Sequence, residues 1–384
     1  MVVICSIILS LYCLLVLVLL VGWVIVRRRK IAMPADAVDG VSALVGGFHQ
    51  QEVPRISIIV AMRNESSNIE ELYRDLSSMA YAVDKFEIIF VNDHSTDDTH
   101  AKVKQLSANV PNIRIINLPE GVEGKKSALQ AGIEQAEFEI IATTDADCRL
   151  SKNWLHCIAL NFKSEETKMV VGAVKLIRRD SFFSRLQVTE FISLVGATAS
   201  AIGLGHPVMC NGANLSYRKN VFLEVSGFQG NLQIASGDDE FLMRKIFKRY
   251  PSGIVFLNFY EAVISSHTQK TIRDLFYQRL RWAGKWKHNS DLLTQLLAVF
   301  IFVSQISFIV LVINNINLPN TSLALIVSKL FLEGVFLLWV GRFLERKFDT
   351  LSFIALQLFY PFYVTIIGLT SLLSSYHWKG RNYN

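Results

Sequence analysis

Four long apolar runs constrain the fold of this chain more than any other feature. The first run is Val2–Val26, and the other three are Leu292–Ile313, Ser322–Val340 and Leu351–Leu373. About 20 apolar residues in a helix are enough to cross the hydrocarbon core of a bilayer. The chain is also 51% hydrophobic with a mean hydropathy of +0.33, which is more apolar than a wholly soluble protein usually is. The sequence therefore predicts about four transmembrane helices around a more polar middle segment.

Positive charge predicts how this protein is oriented. Arg27–Lys30 follows the first apolar run, whereas a cleaved signal peptide carries its charge before that run, so we expect an uncleaved anchor. Loops rich in Lys and Arg stay in the cytoplasm. The middle segment, up to Asn289, should then be cytoplasmic, and the uncharged connection Asn314–Thr321 should lie outside. These features predict a multi-pass protein of the cell membrane with a cytoplasmic catalytic domain.

Two apolar segments contain polar residues, and each leaves two interpretations open. Lys329 and Glu333 lie four residues apart in the third run, so they can meet on one helix face. They would form either a neutralised pair or a contact with substrate or lipid. Phe182–Leu204 is too interrupted by polar residues to span a membrane. It would be either a core helix or an interfacial helix lying against the bilayer.

Charge, cysteines and missing motifs exclude several classes of protein. The net charge is +6, but the cations cluster beside the apolar runs and form no stripe, so we expect no nucleic-acid partner. The five cysteines form no C-x-x-C pair, which argues against a disulfide framework or a zinc site. The chain has neither G-x-G-x-x-G nor G-x-x-x-x-G-K-S/T, which disfavours dinucleotide oxidoreductases and P-loop NTPases.

The middle segment alternates short β-branched runs with helical stretches, which predicts an α/β domain with a mostly parallel sheet. The predicted strands are Ile56–Ala61, Glu87–Val91, Ile113–Asn117, Glu139–Thr143 and Met169–Lys175. The predicted helices lie near Ser66–Met79, Thr96–Ser107 and Lys126–Gln135. The expected domains are an anchor (1–30), a linker (31–55), a catalytic domain (56–289), three transmembrane helices (290–376) and a tail (377–384).

Polar residues follow three of these strands, where parallel sheets bind their ligands. They are Arg63-Asn64-Glu65, Asn92-Asp93 and Asp145-Ala146-Asp147. Residues two apart in an extended segment point the same way, so both carboxylates of the last group would address one cation. Mg²⁺ and Mn²⁺ prefer oxygen ligands and often share their shell with phosphates. This edge therefore predicts a site for a divalent cation and a diphosphate.

Asp145-Ala146-Asp147 and the later Gln278-Arg279-Leu280-Arg281-Trp282 resemble motifs of the family 2 inverting glycosyltransferases. The similarity is strongest to the membrane-embedded group that contains cellulose, hyaluronan and poly-N-acetylglucosamine synthases. The resemblance implies a GT-A, or nucleotide-diphospho-sugar transferase, domain. It also implies a metal-dependent enzyme that transfers a sugar from a nucleotide-diphosphate sugar, with inversion, to a growing polysaccharide or lipid-linked glycan.

The resemblance implies roles for several residues at the strand ends. Asn64 and Glu65 lie in the loop that meets the nucleotide in the family. Asp93 matches the carboxylate placed at a uracil-like base, in a segment that resembles V-D-D-x-S-x-D with Asn in place of the first Asp. Lys125 matches the lysine of a G-K segment and would reach a phosphate. Asp97 fits an ordinary acid at a helix N-terminus better than a ligand.

The later motifs imply contacts with the donor and the acceptor. Gln278 and Arg281 lie three residues apart on one predicted helix face and would bind the diphosphate together with Asp145. Trp282 would stack on the acceptor. Asn214 belongs to an N-G-A-N segment that lies near the donor sugar and the acceptor in the family.

The resemblance also implies a catalytic base and metal ligands. Ser236–Leu242 resembles a T-E-D-x-D/E-L segment whose Asp deprotonates the acceptor, with Gly in place of the family's Glu. This alignment puts the base at Asp238, with Asp239 as the alternative. Asp147 and Asp145 would hold the metal. His267 either completes the metal shell or is an ordinary satisfied or exposed histidine.

Two other functions remain open at this stage. One is nonprocessive glycosylation of a membrane lipid of the ceramide or diacylglycerol type, since about four spans are few for enclosing a polysaccharide channel. The other is a catalytically silent scaffolding subunit. Such a subunit would predict loss of the motif acids, yet Asp93, Asp145, Asp147 and Asp238 are all present. The sequence does not indicate the donor sugar or the oligomeric state.

Overall fold

The β-branched runs of the middle segment form a seven-stranded sheet in the computed structural model. Its first strands are buried on both faces, as expected for parallel strands that read as nearly continuous apolar runs. The strands in chain order are β1 (Ile56–Met62), β2 (Phe86–Asn92), β3 (Ile113–Asn117), β4 (Ile140–Asp145), β5 (Met169–Val171), β6 (Val174–Ile177), β7 (Leu215–Arg218), β8 (Ile254–Phe256), β9 (Ile264–His267), β10 (Tyr376–Trp378) and β11 (Arg381–Tyr383).

The order of the large sheet is β3-β2-β1-β4-β7-β5-β8. The pairs β1–β2, β1–β4, β2–β3 and β5–β8 are parallel, and β7 is antiparallel to both of its neighbours. Strands β6 and β9 form a separate parallel pair, and β10 and β11 form a short antiparallel pair. The prediction of a mostly parallel sheet is confirmed.

Twelve helices accompany these strands in the part of the chain that the structure describes. In chain order they are α1 (Val2–Arg28), α2 (Ile69–Ser77), α3 (Thr99–Ser107), α4 (Lys125–Gln135), α5 (Trp154–Phe162), α6 (Phe182–Gly203), α7 (Lys219–Glu224), α8 (Asp238–Arg249), α9 (Ile272–Gly284), α10 (Leu292–Asn317), α11 (Leu323–Phe343) and α12 (Thr350–Leu373). The structure describes residues 1–29, 53–108, 110–232, 234, 236–284, 291–317, 322–373, 376–378 and 381–383.

Contacts divide the chain into two units. The helical unit comprises Met1–Ile25, Arg178–Ala201 and Thr268–Asn384, and the sheet unit comprises Val26–Ile177 and Ile202–His267. Helices α6 and α9 thus group with the apolar helices, whereas the sequence placed them in a catalytic domain of residues 56–289. Most of the predicted linker 31–55 and part of the connection 314–321 lie outside the described residues.

Five helices are long and apolar enough to cross a membrane: α1, α6, α10, α11 and α12. Four of them coincide with the predicted apolar runs. Helix α6 differs, because 72% of its apolar stretch is buried inside the protein, against 22–28% for the other four. This burial agrees with the interpretation of α6 as a core helix.

A polar network joins α1, α11 and α12. Lys329 Nζ lies 3.1 Å from Glu333 Oε2, and the Tyr12 hydroxyl donates a hydrogen bond of 2.6 Å to Glu333 Oε1. The Gln357 amide donates to Glu333 Oε2 at 2.7 Å and accepts a hydrogen bond from Lys329. The structure thus supports a neutralised pair, since protein groups satisfy both charges as an apolar environment requires.

The segment predicted as one strand, Met169–Lys175, is two strands in different sheets. The strand is interrupted at Gly172, whose N–H donates to the Asn214 carbonyl oxygen at 2.8 Å. A Cβ atom at Gly172 would overlap the Asn214 side chain. The backbone therefore turns past Asn214 here and cannot continue as a straight strand.

Packing between α4 and the sheet depends on a glycine. A Cβ atom at Gly132 would lie 2.6 Å from Ile59 Cγ2 and 3.0 Å from Val91 Cγ2. Both neighbours are β-branched side chains in buried strands, which have little freedom to move away. The absence of a side chain at residue 132 thus sets the distance between α4 and strands β1 and β2.

We expect Gly132→Ala to lower the thermal unfolding temperature of the detergent-purified protein. The overlap should cost about 1–3 kcal/mol, which exceeds or cancels the helix-propensity gain of Ala. Gln135→Ala is the matched control, since it changes an exposed residue of the same helix. An unfolding temperature for Gly132→Ala above that of Gln135→Ala would contradict this description of the packing.

Candidate active site

The carboxyl ends of β1, β2 and β4 meet at one edge of the sheet. In the parallel register Met62 pairs with Asn92, and Ala61 pairs with Asp145. The polar residues that follow these strands therefore lie at the same edge, as the sequence predicts. Ligands of open α/β sheets bind at this edge.

Asp93 fixes the loop that leads into α4. Its Oδ2 atom accepts a hydrogen bond of 3.0 Å from the backbone N–H of Gly124, while its carbonyl oxygen accepts one of 3.0 Å from Arg63. Gly124 has a φ of 100°, a conformation that favours glycine. Because Lys125 comes next in the chain, buried Asp93 helps to position that lysine.

Asn64 and Glu65 lie at the same edge and brace the neighbouring loop. Asn64 adopts a φ of 54° and accepts a hydrogen bond of 2.8 Å from the Thr96 N–H. The Glu65 N–H donates to Thr99 Oγ1 at 2.7 Å, and its carboxylate accepts from Asn68 at 2.6 Å. Their predicted contacts with a nucleotide remain predictions.

Asp97 behaves as the helix-terminal acid that the sequence suggests. Its Oδ1 atom accepts from the Thr99 N–H at 3.0 Å, and its Oδ2 atom accepts from the Ser66 N–H at 3.2 Å. Burial by itself raises the pKa of Asp97, but the hydrogen bonds from Thr99 and Ser66 outweigh it and lower that pKa to about 2. Both carboxylate oxygens of Asp97 thus accept hydrogen bonds that join two loops.

Lys125 lies between two carboxylates from different elements. Its Nζ atom is 2.5 Å from Asp145 Oδ1, at the end of β4, and 3.7 Å from Asp238 Oδ2, at the start of α8. Burial lowers the pKa of Lys125, but the charges of Asp145 and then Asp238 raise it by more, so the net shift is upward. The lysine therefore remains a cation and holds the two acids together.

Burial raises the pKa of Asp238 above its usual range. The Lys125 cation opposes this shift, whereas the nearby charges of Asp239 and Asp145 add to it. A carboxylate with a raised pKa is a stronger base when it ionises, which suits proton transfer from a hydroxyl group. Asp238 thus has a raised pKa and lies beside a cation.

Gly212 makes the close approach of these groups possible. A Cβ atom at this position would lie 2.9 Å from Asp238 Oδ2 and 3.6 Å from Lys125 Nζ. The Gly212 carbonyl oxygen accepts a hydrogen bond of 2.7 Å from Thr143, which anchors this turn to β4. Sequence reasoning did not assign a role to Gly212, although its N-G-A-N motif marked the segment.

Asp238 and its neighbour Asp239 have different environments. Asp239 Oδ2 accepts a hydrogen bond of 2.9 Å from the Gly212 N–H, and its Oδ1 accepts one of 2.7 Å from the Glu240 N–H. Both of its oxygens are thus used in holding the backbone. Gly237 has a φ of 78°, a conformation that favours glycine at this turn.

Asp147 does not lie in an extended segment with Asp145, although the sequence predicts one. Strand β4 ends at Asp145, and the next residues form a turn closed by a hydrogen bond of 3.1 Å from the Cys148 N–H to the Asp145 carbonyl oxygen. The assumption of an extended pair is therefore wrong. Asp147 Oδ1 lies 3.8 Å from the Cys148 thiol. Burial raises the pKa of that thiol, and the charges of Asp147 and Asp145 add to the effect.

The donor atoms at this edge fit a cation that is shared with a ligand. Among the described residues, no group of three or more His, Cys, Asp and Glu side chains could hold a metal. Two carboxylates offer hard oxygen donors, so a bound Mg²⁺ or Mn²⁺ would need phosphate or water oxygens to complete its shell. His267 ends β9, where it pairs with Ile177, and the geometry gives no support for it as a third ligand.

Asn214 is a structural residue in this geometry. It is 1% exposed, and its amide nitrogen donates to the carbonyl oxygens of Ala173 at 2.8 Å and Ala262 at 2.9 Å. Its amide oxygen accepts from the Trp154 indole at 3.0 Å. The prediction that Asn214 contacts an acceptor therefore finds no support, because the whole side chain is occupied within the core.

The Gln-x-x-Arg-Trp motif lies on α9, in the helical unit. Buried Arg279 forms a 2.7 Å ion pair with Glu190 of α6 and lies 4.2 Å from the centre of the Trp282 ring. The Gln278 side-chain oxygen accepts a hydrogen bond of 2.8 Å from Arg279. Arg279 thus contacts both Gln278 and Trp282 of the motif.

The sequence analysis assigned no role to Arg279, although its three-residue spacing from Trp282 predicts a shared helix face. The contacts predicted for Gln278, Arg281 and Trp282 with ligands remain predictions.

The mostly parallel sheet with acids at its carboxyl edge is a GT-A fold. The chain is similar to the mannosyltransferase PcManGT from Pyrobaculum calidifontis, solved in complex with GDP-Man and Mn²⁺, with a TM-score of 0.56 and 15% identity over 94% of this chain and 99% of that one. At this identity the likeness establishes the fold alone.

Residues 57–249, about half of the chain, match the family Glycosyl transferase family 2, and the chain belongs to this family. It is 26% identical to the glycosyltransferase AglE of Haloferax volcanii over 238 residues, which are 60% of this chain and 72% of AglE. It is also 26% identical to a poly-beta-1,6-N-acetyl-D-glucosamine synthase of Staphylococcus aureus over 237 residues, which are 60% of this chain. The match spans only 54% of that synthase. The resemblance inferred from the motifs is thus confirmed, and the chain is a glycosyltransferase.

The Lys125 cation should control the pH dependence of this site. Removing it in Lys125→Met should raise the pKa of Asp238 further, so less of that carboxylate is ionised at a given pH. The acidic limb of the residual pH–rate profile should therefore move to higher pH, as expected for loss of an opposite charge a few ångströms away.

Lys104→Met is the control for this measurement, because it removes an exposed cation from α3. Its acidic limb should coincide with that of the wild type. A limb that stays in place or moves to lower pH in Lys125→Met would contradict the assigned electrostatics.

Proposed function

We propose that this chain is a membrane-bound enzyme that transfers a sugar, with inversion, from a nucleotide-diphosphate sugar to a growing polysaccharide or lipid-linked glycan. The observation that carries the proposal is the contact of Lys125 with both Asp145 and Asp238 at the ligand-binding edge of the sheet. Membership of Glycosyl transferase family 2 supports the reaction class. The GDP-Man and Mn²⁺ in the similar mannosyltransferase structure support the class of donor.

Asp238 is the proposed general base. It takes the proton of the acceptor hydroxyl, which then attacks the anomeric carbon. Asp239 is the weaker candidate, because both of its oxygens accept hydrogen bonds from backbone N–H groups. The same engagement makes Asp239 unsuited to act as a nucleophile. One displacement at the anomeric carbon, with inversion, is the reaction that this arrangement favours.

Lys125 and the motif on α9 are proposed to bind the donor's diphosphate. Lys125 remains charged, so it stabilises negative charge on the departing nucleoside diphosphate. A divalent cation held by Asp145 and Asp147 would neutralise further charge on that leaving group. Arg281 would add a planar fork of donors that suits phosphate oxygens.

The remaining predicted residues divide between the nucleotide and the acceptor. Asn64, Glu65 and Asp93 lie around the ends of β1 and β2 and would bind the base and ribose. Gln278 would donate to the diphosphate. Trp282 would offer an aromatic face to the acceptor sugar, and the cation of Arg279 against that ring holds it in place.

The proposed location is the cell membrane, with the sheet unit in the cytoplasm. The cations Arg27 and Arg28 end α1, which agrees with a cytoplasmic end of that helix. A cytoplasmic sheet unit would have direct access to nucleotide sugars. Transfer to a single membrane lipid is the second candidate, because α6 is largely buried and the other four apolar helices are few for a polysaccharide channel.

The assignment of the base can be tested with neighbouring substitutions. Asp238→Asn should still bind a nucleoside diphosphate but lose about 10²–10⁴-fold in the rate of transfer, since general-base loss has effects of this size. Asp239→Asn should mainly lower the unfolding temperature, because it loses an acceptor for backbone N–H groups. Transfer rates, nucleotide affinity and thermal unfolding measured on both variants separate these effects. A dead Asp239→Asn beside an active Asp238→Asn would place the base one residue later.

The metal assignment can be tested at Asp147. Asp147→Asn should reduce Mn²⁺-dependent transfer by at least about 10²-fold, because it removes one of two carboxylates proposed to hold the cation. The unfolding temperature should stay close to that of the wild type. Transfer assays with Mn²⁺, with Mg²⁺ and with EDTA provide the comparison. Near-normal turnover of the variant in EDTA would remove the metal from the mechanism.

A further inference from the structure

The helical unit contains a cavity of about 190 Å³. Its walls are one face of α6, the last turns of α11 and the residues that connect α11 to α12. We call the connecting residues 344–349 the α11–α12 turn. Since a water molecule occupies about 30 Å³ in the liquid, this space is several times larger than one water molecule. It can hold a group the size of a phosphate ester.

The α11–α12 turn has a defined backbone geometry. The Arg346 N–H donates to the Gly341 carbonyl oxygen at 2.8 Å, and the Glu345 N–H donates to the Arg342 carbonyl oxygen at 3.2 Å. These are the two hydrogen bonds of a Schellman motif. Glu345 takes the left-handed position, with a φ of 53°, where glycine is the usual residue. The turn therefore ends α11 abruptly and places Lys347 at the cavity wall.

The cavity wall carries more positive than negative charge. Asp349 is already compensated, because its carboxylate lies 3.4 Å from Arg185 Nε and accepts a hydrogen bond of 3.0 Å from the Ser352 N–H at the start of α12. Apart from that pair, the charged wall residues are Arg178, Glu345, Arg346 and Lys347. Three cations thus face one carboxylate, which favours an anionic ligand.

The other walls of the cavity are apolar. They include Val188 and Ile192 from α6, Leu337 from α11, and Phe348 from the turn. Helices α11 and α12 are both candidate membrane spans, so in a bilayer the turn between them would lie at the level of the membrane surface. Cation-rich turns of this kind lie on the cytoplasmic side, where anionic lipids concentrate. A ligand with a negative head and an apolar tail matches both kinds of wall.

We propose that this cavity binds the phosphate headgroup of an anionic phospholipid. The headgroup lies against the cations of the α11–α12 turn, and the first carbons of the lipid chains lie against α6 and α11. A free phosphate shares the charge but makes no use of the apolar walls. Occupancy of the cavity can be measured without any donor or acceptor.

The test measures lipid binding to the delipidated full chain by native mass spectrometry. Phosphatidylglycerol is the anionic probe and phosphatidylcholine is the zwitterionic one. The wild type should bind one phosphatidylglycerol at least tenfold more tightly than phosphatidylcholine. The double variant R346Q/K347Q should weaken phosphatidylglycerol binding by roughly tenfold or more, because each nearby cation contributes to attraction of an anionic lipid.

Two further variants distinguish lipid binding in the cavity from attraction of the lipid to general surface charge. Arg342→Gln removes an exposed cation from the last turn of α11 that does not line the cavity, so it should keep its affinity within about twofold. Val188→Phe places a larger side chain in the cavity and keeps every charge, and it should also weaken lipid binding. Circular dichroism of each variant shows whether its helices are intact, and Val188→Phe provides the test if the double variant does not fold.

Three kinds of result would overturn the proposal. The first is equal affinity of the wild type for the two lipids. The second is an equal loss of phosphatidylglycerol affinity in Arg342→Gln and R346Q/K347Q, or full binding of this lipid by folded Val188→Phe. Either result would mean that the lipid binds to the charged surface and not in the cavity. The third is thermal stabilisation by inorganic phosphate alone at the concentration at which phosphatidylglycerol acts, which would make the ligand a free phosphate.

Discussion

The contact of one lysine with two carboxylates organises the carboxyl edge of the sheet in this protein. Asp145 and Asp238 come from a strand and a helix that are far apart in sequence, and their charges would repel each other without Lys125 between them. The loop that Asp93 fixes presents the lysine, and the missing side chain of Gly212 gives Asp238 room to approach. Each of these features helps to hold an acid and a cation at the edge where we propose that a diphosphate leaving group binds.

The sequence predicts the first half of the sheet well and its second half poorly. Strands β1 to β4 follow from continuous β-branched runs, a local signal that tertiary contacts did not override. The break at Gly172 could not be predicted, because it results from the side chain of Asn214, which is distant in sequence. The position of Asp147 was missed for a similar reason, since a turn begins where the strand pattern gave no sign of its end.

The apolar helices show the same division between local and distant signals. Four runs were recognisable from length and composition alone, and all four are helices. The environment of α6 was left open because it depends on a partner. Glu190, which interrupts the apolar pattern, is buried against Arg279 of α9 and so supports the position of Trp282. A polar residue that weakened the prediction of a membrane span is thus part of the packing that holds the Gln-x-x-Arg-Trp motif.

The stereochemistry of transfer tests the central claim, that a single base and a single displacement operate at this edge. The measurement is the NMR spectrum of the anomeric proton in the first product formed from an α-linked nucleotide sugar. Asp238 acting once as a base predicts a β-linked product, because the acceptor attacks from the face opposite the diphosphate. A product that retains the α configuration would exclude a single displacement from the opposite face and would contradict this account.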